Sequence, residues 1–149
     1  MNNFIGNIDA KVDSKGRVFI PAEFRKILQA TGDPRLILRK DIYENCLVLY
    51  PAPVWEEELA TLRNKLKKYG QKSRQAYRKF IQDANLLEMD STGRILIPKR
   101  YLQIAGINAD VRFIGVDQTI EIWGPDHLEH PDMDDTTFEQ FMDQIDGDE

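Results

Sequence analysis

The apolar positions of this chain change period several times, and the order of those changes then recurs. Phe4, Ile5 and Ile8, interrupted by Gly6, predict a strand over Phe4–Lys11. A turn follows at Asp13–Gly16, where aspartate suits the first position and glycine the last. Val18-Phe19-Ile20 is a short apolar run that reads as a second strand, ended by Pro21. Because its missing N–H is not needed in a first helical turn, Pro21 can also open the next helix. Phe24, Ile27 and Leu28 recur at helical spacing and predict a helix over Ala22–Ala30, stopped by Thr31-Gly32-Asp33-Pro34. Leu36–Leu38 and Cys46–Tyr50 then read as strands around a turn at Asp41–Asn45. The first third of the chain is thus strand, turn, strand, helix, strand, turn, strand.

Pro51-Ala52-Pro53 marks a boundary, and the period changes to helical. Trp55, Leu59, Leu62 and Leu66 fall on one helix face, with Glu56, Glu57 and Glu58 near the positive end of the macrodipole. Tyr69-Gly70 breaks the pattern, and a second helix is expected from about Lys72 to Asn85, with Tyr77, Phe80, Ile81 and Ala84 as its apolar face. Two antiparallel helices across a short loop would bury these stripes against each other.

The strand-rich order then returns: Leu86–Met89, a turn at Asp90–Gly93, Ile95–Ile97, a helix over Lys99–Ala105 with Gly106 as its cap, and strands at Val111–Ile114 and Thr119–Trp123. The second copy can be aligned to the first residue by residue. Asp13-Ser14-Lys15-Gly16-Arg17-Val18-Phe19-Ile20-Pro21 recurs 77 positions later as Asp90-Ser91-Thr92-Gly93-Arg94-Ile95-Leu96-Ile97-Pro98. A nine-residue match at fixed internal spacing identifies two copies of one unit. Leu47–Tyr50 matches Ile120–Trp123 at an offset of 73, so the first copy is four residues longer between hairpin and last strand. Beyond Pro125 the chain is polar, yet Thr136-Thr137-Phe138-Glu139 has the form of a capping box, and Phe138, Phe141, Met142 and Ile145 follow at helical spacing.

Charge changes the picture more than composition does. The chain has 20 Lys and Arg against 25 Asp and Glu, a net charge of −5. Residues 126–149 hold ten of the acids and neither Lys nor Arg, so residues 1–125 carry a net of +5. Residues 63–79 contain eight cations and no acid. A basic body with an acidic tail fits a polyanion binder, although the 63–79 run reads first as a solvated helical face. Arg17 and Arg94 sit just after each turn glycine, where a long cation can reach out from a hairpin. Asp13 and Asp90 are placed either to brace those arginines or to share a binding role with them. Cys46 is alone, which excludes an internal disulfide and a cysteine-rich zinc site. His127 and His130 lie near acids, and ordinary surface histidines are the expectation there rather than metal ligands. No Gly-rich phosphate loop, metal-ligand cluster or Ser/His/Asp set marks an enzyme, so no catalysis and no cofactor are expected. No apolar run is long enough to span a bilayer, and Met1–Ile5 carries no basic or secretory segment, so no membrane partner and a cytoplasmic location are expected.

The paired D-S-x-G-R-x-x-I-P units, split by a basic helical pair and preceded by Phe4-Ile5-Gly6, resemble the bacterial MraZ family, tandem members of the SpoVT/AbrB swapped-hairpin group. The resemblance covers about residues 4–125. It implies an α+β fold: two ββαβ units forming an intrachain swapped-hairpin β-barrel, with an inserted helical pair and an acidic C-terminal tail. The expected divisions are 4–53 for the first unit, 54–85 for the basic helical hairpin, 86–125 for the second unit and 126–149 for the tail. It further implies a sequence-specific DNA-binding transcriptional regulator of the cell division and cell wall gene cluster, including its own promoter. The expected partners are double-stranded DNA with repeated sites and further copies of the chain in a ring-shaped homo-oligomer associated with the nucleoid. The family's D-x-x-x-R motif falls on Asp13 and Arg17, and on Asp90 and Arg94. Arg17, Lys15, Lys11 and Arg94 are therefore the candidate DNA contacts, with Arg94 expected to serve structure or subunit contact before DNA. Asp13, Gly16, Asp90 and Gly93 are the candidate residues that shape the turns. An AbrB-like antitoxin, whose acidic tail binds a partner protein, is the alternative.

Overall fold

The computed structural model describes residues 3–67, 69–126 and 133–147. Copy one supplies β1 (Phe4–Lys11), β2 (Arg17–Phe19), α1 (Ala22–Ala30), β3 (Arg35–Lys40) and β4 (Leu47–Pro51). The helical pair is α2 (Ala52–Lys65) and α3 (Gln71–Gln82). Copy two supplies β5 (Ala84–Glu88), β6 (Arg94–Leu96), α4 (Lys99–Ile104), β7 (Asp110–Asp117) and β8 (Thr119–Trp123), and α5 (Asp135–Gly147) lies beyond it. The element order expected from the repeat is present in both copies.

The copies exchange strands. One antiparallel sheet runs β1-β7-β8-β4-β3-β5, and β2 pairs with β6 in a separate ribbon. The first strand of each copy therefore lies beside the third strand of the other: Ile8 faces Phe113, and Leu87 faces Leu36. In the ribbon Val18 faces Ile95, with Arg17 opposite Leu96 and Phe19 opposite Arg94. The β4–β8 pairing sets Leu47 against Ile122 and Leu49 against Ile120. Under the 77- and 73-residue offsets each of these two pairings maps onto itself, so an approximate two-fold axis passes through both. No closed barrel is seen among the described residues; the six-stranded sheet ends at β1 and β5.

The main core fills the space between sheet, ribbon and the two short helices. Val18, Ile20, Ile95 and Ile97 meet Phe24 and Leu28 of α1, Tyr101 of α4, and Leu36, Leu38, Leu47, Leu49, Phe113, Ile120 and Ile122 of the sheet. Phe4 and Phe24 pack edge to face at 5.7 Å. The other sheet face explains a difference between the copies. Behind β3 and β4, Ile37, Ala52, Trp55 and Phe80 form a second apolar cluster. Strands covered on both faces read as unbroken apolar runs, as in Leu36–Leu38 and Leu47–Leu49. The helical pair covers copy one's half only. On copy two's half the outer positions include polar residues, with Arg112 bonded to Asp9 at 2.9 Å and the Trp123 indole to Glu121 at 2.9 Å.

The helical pair differs from its expected form. Its stripes pack on the sheet as well as on each other: Trp55 stacks flat on Phe80 at 5.3 Å and meets Tyr50 edge-on at 5.2 Å. Burial in this cluster pushes the Tyr50 phenol up to about 12. The second helix ends at Gln82, three residues early, and Ala84 already belongs to β5. The demand for a strand partner along β3 overrides helix propensity there, and Ile81, expected on the apolar face, is 40% exposed. Arg39, on β3, is buried without a carboxylate partner among the described residues. Its Nε donates to the Phe80 carbonyl at 3.0 Å and its guanidinium lies 4.2 Å from the Phe80 ring centroid. A second bond runs from Arg39 to the Lys40 carbonyl. A cation at the C-terminal end of α3 meets both the orphan carbonyl and the negative end of the dipole.

Pro21 and Pro98 are the N-cap residues of α1 and α4, directly before the first helical residue. Gly106 closes α4 with φ +65, its N–H and that of Ile107 bonding back to Gln103 and Leu102. At α5 the expected capping box is replaced by an aspartate cap. The Asp134 carboxylate accepts the Thr137 N–H at 2.7 Å and its carbonyl accepts from Phe138 at 3.0 Å. That leaves Thr136 inside the helix; an aspartate is at least as good a cap as threonine. No described helix is long and apolar enough to cross a membrane.

Two predictions follow from this packing. Replacing Arg39 by Met should lower stability by about 1.5–3 kcal/mol, because the Phe80 carbonyl loses its charged donor. A urea midpoint unchanged from the parent would remove that role. The turn glycines separate strain from contact. Both have positive φ, +93 at Gly16 and +95 at Gly93. A Cβ at Gly16 would lie 2.6 Å from the Ile97 carbonyl oxygen, whereas one at Gly93 would meet Arg25 Cδ at 2.4 Å. An arginine side chain can swing aside and a hydrogen-bonded backbone cannot. Gly93→Ala should cost about 1–3 kcal/mol of backbone strain, and Gly16→Ala distinctly more; equal losses in chemical denaturation would contradict this.

Candidate nucleic-acid interface

Each hairpin turn is built around one carboxylate. Asp13 Oδ1 accepts the backbone N–H groups of Lys15 and Arg17, both at 2.9 Å, and Oδ2 takes Arg17 Nε at 2.8 Å. The Asp13 N–H donates to the Arg17 carbonyl at 2.9 Å, and Gly16 N–H donates to the Asp13 carbonyl at 3.0 Å. Copy two repeats the arrangement: Asp90 Oδ1 accepts from Thr92 and Arg94 N–H, both at 2.9 Å, and Oδ2 takes Arg94 Nε at 3.0 Å. Thr92 adds its hydroxyl, which donates to Asp90 Oδ1 at 2.7 Å. The spacing D-x-x-x-R is what this geometry requires, since four residues around a tight turn return the arginine to the aspartate. The backbone donors, above all that of Arg17, hold the Asp13 carboxyl below the usual carboxylate range, and those around Asp90 do the same.

Bracing leaves the arginines usable. Each ion pair engages Nε, so among the described residues the terminal amino groups of the fork remain for another acceptor. The Arg17 and Arg94 side chains keep 39% and 32% of their exposure, enough for a ligand to reach them. In the ribbon Val18 and Ile95 face the core, so Arg17, Phe19, Arg94 and Leu96 share the outer face. The two arginines are diagonal neighbours there, one from each copy. Phe19 and Leu96 are both 54% exposed between them, and the Arg94 guanidinium sits 5.7 Å from the Phe19 ring centroid.

The other expected contacts fall differently. Lys15 is exposed at the first tip. Lys11 is exposed but engaged: its ammonium is paired with Asp110 on the adjacent strand β7. Strand exchange also brings residues of the opposite copy to each tip. Gly16 carbonyl accepts from Ile97 N–H at 2.9 Å, so the first tip lies at the start of α4, which begins Lys99-Arg100. Gly93 carbonyl accepts from Ile20 N–H at 3.0 Å, and Arg25 of α1 reaches across to the Thr92 carbonyl at 3.2 Å. Arg94 therefore has a cationic neighbour that counting along its own copy does not reveal. Arg25 cannot be found as a neighbour of the tip from sequence, because its nearness depends on the exchange; the matched Leu102, packed 3.5 Å from the Cβ position of Gly16, marks the same contact in the other copy.

Cys46 is buried, and burial drives its thiol well above the ordinary range. Among the described residues no three His, Cys, Asp or Glu side chains cluster as a metal site. His127 and His130 lie outside the described residues.

A family model described as "MraZ protein, putative antitoxin-like" matches the chain twice, over residues 4–78 and 80–146. The second match runs past residue 125, where the sequence resemblance stopped, and takes in α5. The chain is 51% identical over 149 residues to the transcriptional regulator MraZ of Bacteroides thetaiotaomicron, covering all of this chain and 96% of the relative. It is 33% identical over 129 residues to that of Flavobacterium psychrophilum, covering 87% and 82% of the two chains. It is 37% identical over 118 residues to that of Coxiella burnetii, covering 79% and 77%. With both motif copies aligned and nearly the full length matched, the chain belongs to the MraZ family.

Proposed function

We propose that the chain is a sequence-specific DNA-binding transcriptional regulator of the cell division and cell wall gene cluster, including its own promoter. The observation that carries this reading is the convergence of Arg17 and Arg94 on one exposed ribbon face, each held by its own aspartate. A two-stranded ribbon is narrow enough to enter a major groove. Arginine can fork onto a guanine edge, while Lys15 acts on phosphate as a point charge. Lys11, paired with Asp110, would reach DNA only by giving up that pair, and contributes least. Arg94 serves the ribbon through Asp90 and Phe19 first, and DNA second. The names of the relatives support regulation of transcription.

One hairpin face offers few contacts, so single-chain affinity should be weak. A ring-shaped homo-oligomer in the cytoplasm, set on repeated promoter sites at the nucleoid, would raise it through effective concentration. In this reading residues 4–53 and 86–125 form the swapped-hairpin DNA-binding body, 54–85 the helical hairpin, and 126–149 stay clear of the polyanion. A second reading is favoured by the acidic α5 and by the family description: an antitoxin-like protein whose tail holds a partner. Co-purification of a small basic protein through the tail would favour it.

The mobility shift of promoter DNA tests the first reading. Arg17→Ala should weaken binding by about 1–3 kcal/mol, roughly five- to 150-fold, with the oligomer intact. Arg94→Ala should cost less binding and more stability. Unchanged binding by Arg17→Ala in an intact oligomer would remove the proposal. Asp13→Ala makes a sharper distinction. If Asp13 only repelled DNA, its loss would tighten binding; as a brace, its loss should weaken binding. The pH dependence follows from the lowered aspartate pKa values. A depressed carboxylate contributes above its unfolded pKa and loses that contribution as pH falls through the folded value. Bracing should therefore be complete from about pH 5 to 8 and fail only in stronger acid, so a fall in binding within that window would point to another group.

A further inference from the structure

Helix α5 is an amphipathic helix that no other described residue buries: none of its residues is buried. Phe138, Phe141, Met142 and Ile145 form one stripe and are 42–55% exposed. Asp135, Glu139, Asp143 and Asp146 form a second stripe beside it, at spacings of four, four and three. Four large apolar side chains left in water on one helix face call for a partner surface.

The body carries a surface of the opposite kind. Between α2 and α3, near the loop that joins them, lies an open groove of about 520 Å³. Leu66 and Tyr77 are its half-buried apolar walls, and Arg63, Lys67, Arg74 and Arg78 are its exposed rim. Arg63 Nη1 donates to the Tyr77 hydroxyl at 3.4 Å, and no acidic residue lines the groove among the described residues. A groove with apolar walls and a wholly cationic rim fits a helix with an apolar stripe beside an acidic one.

We propose that α5 of one copy docks in the α2–α3 groove of a second copy, its apolar stripe on Leu66 and Tyr77 and its acids on the four cations. Charge complementarity selects the occupant, since α5 lies in the acidic region of residues 126–149, which holds no Lys or Arg. Exposure of the stripe in the single chain places the groove on a neighbour. The contact would link copies through the tail and keep the acidic segment away from the hairpin tips.

Cross-linking of full-length variants tests this. Cys46 is buried and its thiol stays protonated, so it is silent toward maleimides. Asn64→Cys beside the groove and Gln144→Cys on α5 are placed in separate chains and mixed with a short bis-maleimide. The expected result is a mixed dimer band that is lost at high salt and lost when the groove chain also carries Arg74→Glu and Arg78→Glu. Glu139→Arg with Asp143→Arg in the tail chain should restore the band against that reversed groove. Absence of a mixed band overturns the proposal. So does a chain carrying both cysteines that yields only the internal link on dilution, which would mean docking on its own body. A band indifferent to the charge reversals, or one competed away by DNA while the tail variants bind DNA normally, would give the groove to another occupant and equally overturn it.

Discussion

The structure depends on a reciprocal exchange: each hairpin crosses to the other copy and completes its sheet. The crossing is fixed by two matched backbone bonds, Ile97 N–H to the Gly16 carbonyl and Ile20 N–H to the Gly93 carbonyl. Between them the ribbon sets Val18 against Ile95. Register there is not negotiable. A slip of one residue would turn Val18 and Ile95 to water and drive Arg17 or Arg94 into the core. Burying an unpaired guanidinium costs several kcal/mol, far more than a ribbon of three residue pairs could offset. The same alternation that builds the core thus presents the arginines, so fold and candidate site share one cause.

Exchange makes the copies nearly symmetric, and insertion of the helical pair breaks that symmetry. The pair covers β3 and β4 through Trp55 and Phe80, while the matching face of β7 and β8 keeps Arg112 and Glu121. Arg39 is the device that fastens the addition, joining strand to helix end through one carbonyl. The hairpin tips inherit the asymmetry on a smaller scale. The first has Lys15 and meets Leu102; the second has Thr92 bonded into its own turn and borrows Arg25. A surface built from two such tips is related by pseudo-symmetry but not chemically equivalent, so its two halves need not read the same bases.

Most of the element order could be read from sequence because the repeat tests every assignment twice. The Asp13–Arg17 brace was legible as one of two open meanings, and the D-x-x-x-R spacing suggested its geometry. What could not be read depends on contacts across the exchange. Arg25 looks like an ordinary surface residue until β6 and its turn are placed under α1. Arg39 looks like the polar end of a strand, since no local signal reveals that a helix carbonyl will stop above it. The end of α3 was misplaced for a related reason: Ala84 and Asn85 are acceptable in a helix, and only the unpaired edge of β3 decides that they become strand. Asp134 displaced the capping box by position, being one residue outside the helix where the box would have begun inside it.

Net charge would argue against a polyanion partner, and distance decides why it does not. Exposed charges more than about 8 Å apart are largely screened at physiological salt. A DNA backbone touching the ribbon therefore feels Arg17, Lys15, Arg94, Arg25 and the start of α4, and scarcely feels acids held farther off. The sign of the whole chain matters only if the acidic helix can come within that range of the tips. Parking α5 in a cationic groove would neutralise both segments and prevent such an approach. On this view the basic run at 63–79 serves DNA binding by occupying the acids of a neighbouring copy, and not by touching phosphate.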